Sequence, residues 1–239
     1  MSTRIIAALS AIAAVLVLIT VAWIGSTYIP LAEIRLAQAQ SQPISETLEL
    51  AAQQDSWVDE QNPTTNYGDD EDLYVGLVNA QVAPFENETL VQFNLEKLPP
   101  DATILSATLE LFQLNWWGSR SYTIWPVAIA EPWEELKVTW NNKPPVHPDI
   151  TGPAATLDFN GGWKIWDVTD IVQTWADGKI ENEGILLYGD EKTVGGRIFA
   201  SREHPEQIPP RLYIEYVRPT PTPTSTPTIT PTSTPTITP

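Results

Sequence analysis

The sequence predicts an all-β domain with one short helix, set between an amino-terminal membrane-spanning segment and a carboxy-terminal Thr/Pro stalk. Three observations carry this. Eight short apolar or alternating runs between Leu73 and Val217 are separated by turns bearing Gly, Pro and Asn. A single segment, Asp167 to Gly178, has helical rather than two-residue periodicity. The two ends have compositions that cannot belong to a packed core: twenty uncharged residues from Ile5 to Ile24, and Thr-Pro alternation from Pro219 to Pro239.

The amino-terminal run follows Arg4 and, as a helix, reaches about 30 Å, the thickness of a bilayer's hydrocarbon core. A secretory signal has a shorter apolar region, and the small-residue cleavage pattern Ala37-Gln38-Ala39 lies well beyond the run. Residues 1–24 therefore read as an uncleaved signal anchor, with a cleaved signal peptide as the alternative. Residues 25–45 read as a linker, and everything after Gly25 is expected outside the cell, so the protein is either anchored at the surface or secreted.

Residues 46–217 form one domain by length. The clearest strand is Ile104 to Leu114, where Leu105, Ala107, Leu109 and Leu111 alternate with Ser106, Thr108 and Glu110. Leu73–Val78, Leu90–Leu95, Tyr122–Ile129, Val138–Trp140, Ile185–Tyr188, Ile198–Ser201 and Leu212–Val217 read as further strands. Asn66-Tyr67-Gly68, Leu98-Pro99-Pro100-Asp101, Trp117-Gly118-Ser119, Asn160-Gly161-Gly162 and Val194-Gly195-Gly196 read as turns between them. Many short strands with regular turns indicate a β-sandwich or barrel. In the helical segment Val168, Ile171, Val172 and Trp175 form one apolar stripe, with Asp167 as N-cap, Asp170 at the third position and Gly178 suited to a left-handed end. Its expected place is over one end of the sandwich.

Residues 218–239 read as a disordered Thr/Pro linker ending in the octet Thr-Ser-Thr-Pro-Thr-Ile-Thr-Pro written twice. Proline at this density removes donors and holds the chain extended, at about 3.1 Å per residue. Such a stalk spaces a domain from further domains; an unanchored tail is the alternative. The chain has no cysteine, so an exported domain owes nothing to disulfides. Residues 46–217 carry 29 Asp and Glu against 10 Lys and Arg, a net of −19, which opposes nucleic acid as a partner.

Several stretches resemble the DNRLRE domain, also classed as carbohydrate-binding module family 96. They are Asn62-Pro63-Thr64-Thr65-Asn66-Tyr67-Gly68, Pro132-Trp133-Glu134-Glu135 with Val138-Thr139-Trp140-Asn141-Asn142-Lys143-Pro144, Trp166-Asp167-Val168-Thr169 with Gly184-Ile185-Leu186-Leu187, and Phe199-Ala200-Ser201-Arg202-Glu203 with Pro210-Arg211-Leu212. The resemblance runs in order from about Asp55 to Tyr216, without the literal hexapeptide of the name. It implies a jelly-roll-like β-sandwich on bacterial or archaeal surface proteins that binds polysaccharide without catalysis. Alginate is the ligand associated with the class, but a domain at −19 is ill suited to a polyuronate.

Sugars are held by flat aromatic faces with planar polar groups beside them. Trp133, Trp140, Trp166 and Trp175 lie in strand or helix patterns and read as core. Trp116 and Trp117 are adjacent, point oppositely in extended chain and lead into a turn. They are the expected ligand-binding residues, with Arg120 and Tyr122 as polar neighbours. Asp69-Asp70-Glu71-Asp72 offers oxygens to a structural Ca2+ but lacks the interleaved spacing of a calcium loop, and reads as a solvated acidic loop. No other cofactor is implied. Glu134-Glu135 and the Asp167/Asp170 pair are acidic pairs of the kind glycoside hydrolysis uses, but such pairs are common in so acidic a chain, and Asp167 and Asp170 already serve the helix start. His147 and His204 stand far apart and form no triad or metal motif. Arg202-Glu203 reads as an internal ion pair. The expected function is a non-catalytic polysaccharide-binding module at the cell surface; a structural or adhesive surface domain is the alternative.

Overall fold

The computed structural model describes residues 45–79, 81 and 83–218. The expected signal anchor and nearly all of the linker and stalk lie outside these residues. Among the described residues no helix is long and apolar enough to cross a membrane.

Twelve strands and one helix follow in chain order: β1 (Ser45–Ala51), β2 (Gln54–Asp59), β3 (Asp72–Val78), β4 (Phe85–Gln92), β5 (Thr103–Gly118), β6 (Tyr122–Ile129), β7 (Val146–Thr151), β8 (Ala155–Leu157), β9 (Gly162–Asp167), α1 (Thr169–Ala176), β10 (Ile185–Gly189), β11 (Gly195–Ala200) and β12 (Arg211–Val217). All hydrogen-bond into one curled antiparallel sheet, in the order β1-β12-β5-β11-β3-β4-β10-β6-β7, with β2 on β4, β8 on β6 and β9 on β5. Two strands organise it. β5 is long enough to pair with β12 along its first half and with β11 along its last residues, while β9 also pairs with it. β4 pairs with β3 through Asn87, Glu86 and Phe85 and with β10 through Val91, Leu90 and Thr89.

Curling brings the two arms of the sheet face to face. Leu109, Leu111, Leu212 and Ile214 from one arm share a core with Val91, Ile124, Ala128, Ile185 and Leu187 from the other. A second, smaller apolar cluster lies on the other face of β4, β10 and β6: Val58, Leu90, Val127, Ile129 and Leu186 are roofed by Trp133 and Val138. The period-two alternation of β6 and β10 thus feeds two clusters, one on each face.

The helix matches its sequence signals with one shift. The N-cap position is Val168, not Asp167. Asp167 still caps, because its Oδ1 accepts the Thr169 N–H at 2.9 Å and hydroxyl at 2.6 Å. Asp170 consequently sits one position earlier than expected. Gly178 has φ +64°, and the Gly178 and Lys179 N–H groups return to the Trp175 and Thr174 carbonyls, a closed carboxy-terminal turn. Ile171, Val172 and Trp175 are buried in the main core.

Val138–Trp140 is not a strand. The Lys137 and Val138 N–H groups both donate to the Glu134 carbonyl, and Trp140–Asn142 is a single 3-10 turn. Asn142 Oδ1 accepts from the Thr139 N–H at 2.6 Å, and its amide donates to the Lys137 carbonyl at 3.0 Å. Pro144 and Pro145 follow, and neither can donate to a ladder. This loop is the roof over the second cluster.

Candidate functional site

The four residues singled out in the sequence do not converge. Trp117 and Trp116 point oppositely, as extended chain requires. The Trp117 indole lies over Gly76 and Gly196; a Cβ on Gly196 would sit 2.1 Å from its ring. Its Nε1 donates to the Leu77 carbonyl at 3.4 Å, and Tyr74 lies 6.2 Å away, centroid to centroid. Trp116, half-buried, packs instead on Phe159 at 5.8 Å. The exposed Arg120 guanidinium lies 4.0 Å above the same Phe159 ring. Tyr122 is a core residue, 1 % exposed, with its hydroxyl donating to the Asp190 carbonyl at 3.0 Å. Burial pushes that hydroxyl's pKa up. The parity of β6 explains this placement: Tyr122 shares its face with Ile124 and Ala128, both in the main core. It has no ring face left for a ligand.

Trp116, Phe159 and Arg120 are held in place by a residue the sequence does not advertise. Arg197 in β11 is fully buried and spends all its donors on main-chain carbonyls. Nε donates to Asp158 at 2.8 Å, Nη1 to Ser119 at 3.1 Å and Gly196 at 2.8 Å, and Nη2 to Arg120 at 3.1 Å and Leu157 at 2.7 Å. Gln113 Nε2 adds bonds to the Asp158 and Asn160 carbonyls. Both loops that carry the Phe159 cluster are therefore pinned to the sheet.

A second aromatic surface lies on the face of β6 and β10 that bears the smaller apolar cluster. Trp125 and Tyr188 are direct cross-strand partners. Their rings are stacked at 5.7 Å and 16°. Beside them is a hollow of about 330 Å³, floored by Val127 and Leu186 and walled by Tyr188, Pro144, Lys143 and Glu88. Tyr188 also lines a neighbouring hollow of about 200 Å³ with Trp125, Asp190, Glu191 and Lys192. The Lys143 ammonium bonds Glu88 and lies 3.5 Å over the Trp140 ring. Burial raises the Glu88 pKa against the opposing pull of Lys143. Glu86 is raised as well, by burial and then by Glu88, Glu191 and Glu60. The groove thus has an apolar floor, aromatic walls and an acidic surround. That arrangement suits a ring with one C–H face and a periphery of hydroxyls.

Neither acidic pair from the sequence forms an exposed catalytic couple. Glu134 is paired with Lys137 on the surface, and Asp167 is spent on the helix start. The Asp69–Asp72 loop is engaged in part. Asp70 Oδ2 accepts Trp57 Nε1 at 3.1 Å, and Asp72 Oδ2 accepts the Tyr74 hydroxyl at 3.4 Å. Among the described residues, the carboxylates that do converge are Asp55, Glu135 and Glu203. Arg202 bridges Glu135 and Glu203, so the expected Arg202–Glu203 pair is present and has a third member. Burial, then the charges of Glu203 and Glu135, push the Asp55 carboxyl up to about 8.

Residues 46–216 match carbohydrate-binding module family 96, and the chain belongs to that family. It is also 26 % identical over 194 residues to the tRNA nuclease WapA of Bacillus subtilis strain 168, and 25 % identical over 187 residues to the tRNA3(Ser)-specific nuclease WapA of Bacillus spizizenii. These matches cover 75 % and 74 % of this chain but 8 % of either nuclease. The chain therefore corresponds to a small part of the curated relatives it matches.

Proposed function

We propose that residues 46–217 are a non-catalytic polysaccharide-binding module displayed outside the cell, anchored or exported by residues 1–24 and spaced from further domains by residues 218–239. The observation that carries the reading is the groove at Tyr188: an apolar floor of Val127 and Leu186, a Tyr188 wall backed by the stacked Trp125 ring, and the Lys143–Glu88 pair in the opposite wall. The acidic surround of Glu60, Glu86, Glu88 and Glu191 favours neutral or amine-bearing sugars over a polyuronate. Trp116, Phe159 and Arg120 form a second aromatic platform, pinned by Arg197, and stand as the next candidate contact. A nucleic-acid role carried over from the relatives' names is opposed by the domain's net charge.

The test is a glycan array with the purified chain, followed by affinities of variants for the best ligand. Trp125→Ala and Tyr188→Ala should each weaken binding about tenfold or more, the equivalent of losing one stacking contact, while moving the melting temperature little. If both bind like the parent and Trp116→Ala or Arg120→Ala loses affinity, the ligand lies on the Phe159 platform. Binding to no glycan on the array favours the structural or adhesive reading, for which the stalk's spacing role serves equally well. Sugar release from any polysaccharide by the purified chain would overturn the non-catalytic assignment.

A further inference from the structure

We propose that Asp55, Glu135 and Glu203 form a divalent-cation site for calcium, joining β2 to the Trp133–Val138 loop and the turn after β11. The three carboxylates come from distant parts of the chain, and one oxygen of each lies within 4.8 Å of the others. Calcium binds oxygen at 2.3–2.6 Å, so oxygens on opposite sides of one ion stand roughly 4.8 Å apart. A single ion can touch all three.

The second observation is the state of the oxygens. Asp55 is 1 % exposed; its Oδ2 accepts the Arg202 N–H at 3.0 Å, but its Oδ1 is buried with no partner. Glu203 likewise gives one oxygen to Arg202 at 2.9 Å, and its other, Oε2, is buried and unpartnered. Glu135 Oε1 accepts the Asp55 N–H at 2.9 Å and its Oε2 meets Arg202 at 2.7 Å. Three carboxylates thus face one guanidinium, a local charge of −2 when all are ionised. Two buried oxygens lack any donor, a state that folded proteins avoid. An all-oxygen donor set selects a hard cation. Of the common ones, calcium tolerates an irregular shell, whereas magnesium requires an octahedron and retains its water. A proton on Asp55 is the rival way to relieve the same charge.

The experiment uses the purified chain stripped with EDTA and titrated with CaCl2 at fixed pH. Calorimetry should show one site per chain. The melting temperature should rise by about 5–10 °C at calcium a hundredfold above Kd. Magnesium at equal concentration should give a much smaller shift. Glu203→Gln keeps an acceptor for Arg202 and should fold, but should bind calcium at least about tenfold more weakly than the parent; Asp55→Asn should do the same if it folds. No binding heat and no shift up to about 10 mM calcium, beyond the range of weak extracellular calcium modules, would overturn the proposal and leave the proton as occupant. Calcium bound equally well by parent and Glu203→Gln would also overturn it, placing the ion elsewhere.

Discussion

Replacing Arg197 by Met should destabilise the domain severely and loosen the loops that carry Phe159 and Arg120. The side chain is fully buried and donates to five carbonyls, with no carboxylate side chain paired to it. Burial holds its pKa below the usual arginine value, the mark of a desolvated cation held mainly by dipoles. Methionine fills most of the volume and removes the charge, so the desolvation penalty disappears along with the bonds. What remains is the orphaned acceptors. The Gly196 and Leu157 carbonyls are bonded in fully buried geometry, whereas those of Ser119, Arg120 and Asp158 lie nearer the surface and can rehydrate. Two buried orphans at about 1–3 kcal/mol each give a loss of about 2–6 kcal/mol. Urea unfolding followed by tryptophan fluorescence measures it, as a lower midpoint with unchanged slope. Arg197→Lys should recover part of the loss, since an ammonium has fewer donors and no planar fork. A loss under about 1 kcal/mol for Arg197→Met would refute the account, because it would mean that those carbonyls do not need the guanidinium.

Three further outcomes are expected. Trp175→Ala should cost about 3–5 kcal/mol in urea unfolding, because its side chain seals α1 against the core. Gly196→Ala should cost about 1–3 kcal/mol and alter tryptophan fluorescence, because the added methyl would drive into the Trp117 ring. The folded-state pKa of Glu88 is raised by burial, so its folded form holds a proton that the unfolded chain releases earlier. That contribution to stability is present below the unfolded glutamate value of about 4.3 and is lost as pH rises through the folded value. Glu88→Gln should therefore show a smaller fall in urea midpoint between acidic and neutral pH than the parent.

Strands whose two faces meet different environments were legible in the sequence. The expected bounds of β6 are those observed, and β3, β10 and β12 differ by a residue or so. β2 was not legible, because Gln54–Asp59 buries the polar residues Asp55, Ser56 and Asp59, and the Asp55 carboxylate finds its donor only at Arg202, far along the chain. β7, β8 and β9 were missed because Pro148 in β7, the shortness of β8 and the mixed polarity of β9 mark them as loop until neighbouring strands supply ladders. The Val138–Trp140 run looked like a strand because a roof over an apolar cluster needs the same residues as a strand does. For the candidate site, the opposed directions of Trp116 and Trp117 followed from backbone geometry. The aromatic neighbours did not. Phe159 meets Trp116 because Arg197, the ladder partner of Trp116, holds the Phe159 loop through the Asp158 carbonyl, and Tyr188 meets Trp125 only through the β6–β10 register. The sequence did carry the signal that places Tyr122 inside, in the parity it shares with Ile124 and Ala128.

The pairing of the first strand with the last has a mechanical consequence. Ser45 faces Val217 in an antiparallel ladder, so the chain enters and leaves the domain at the same end of the same strand pair. Tension drawn through both ends would part β1 from β12 one hydrogen bond at a time, in the manner of a zipper, instead of loading the whole ladder in shear. The first obstacle is the cluster at the mouth, where Arg218 and the Tyr216 hydroxyl both hold the Glu46 carboxylate. A domain held this way yields at low force, and the first strand to peel away is an edge strand carrying only partly buried leucines.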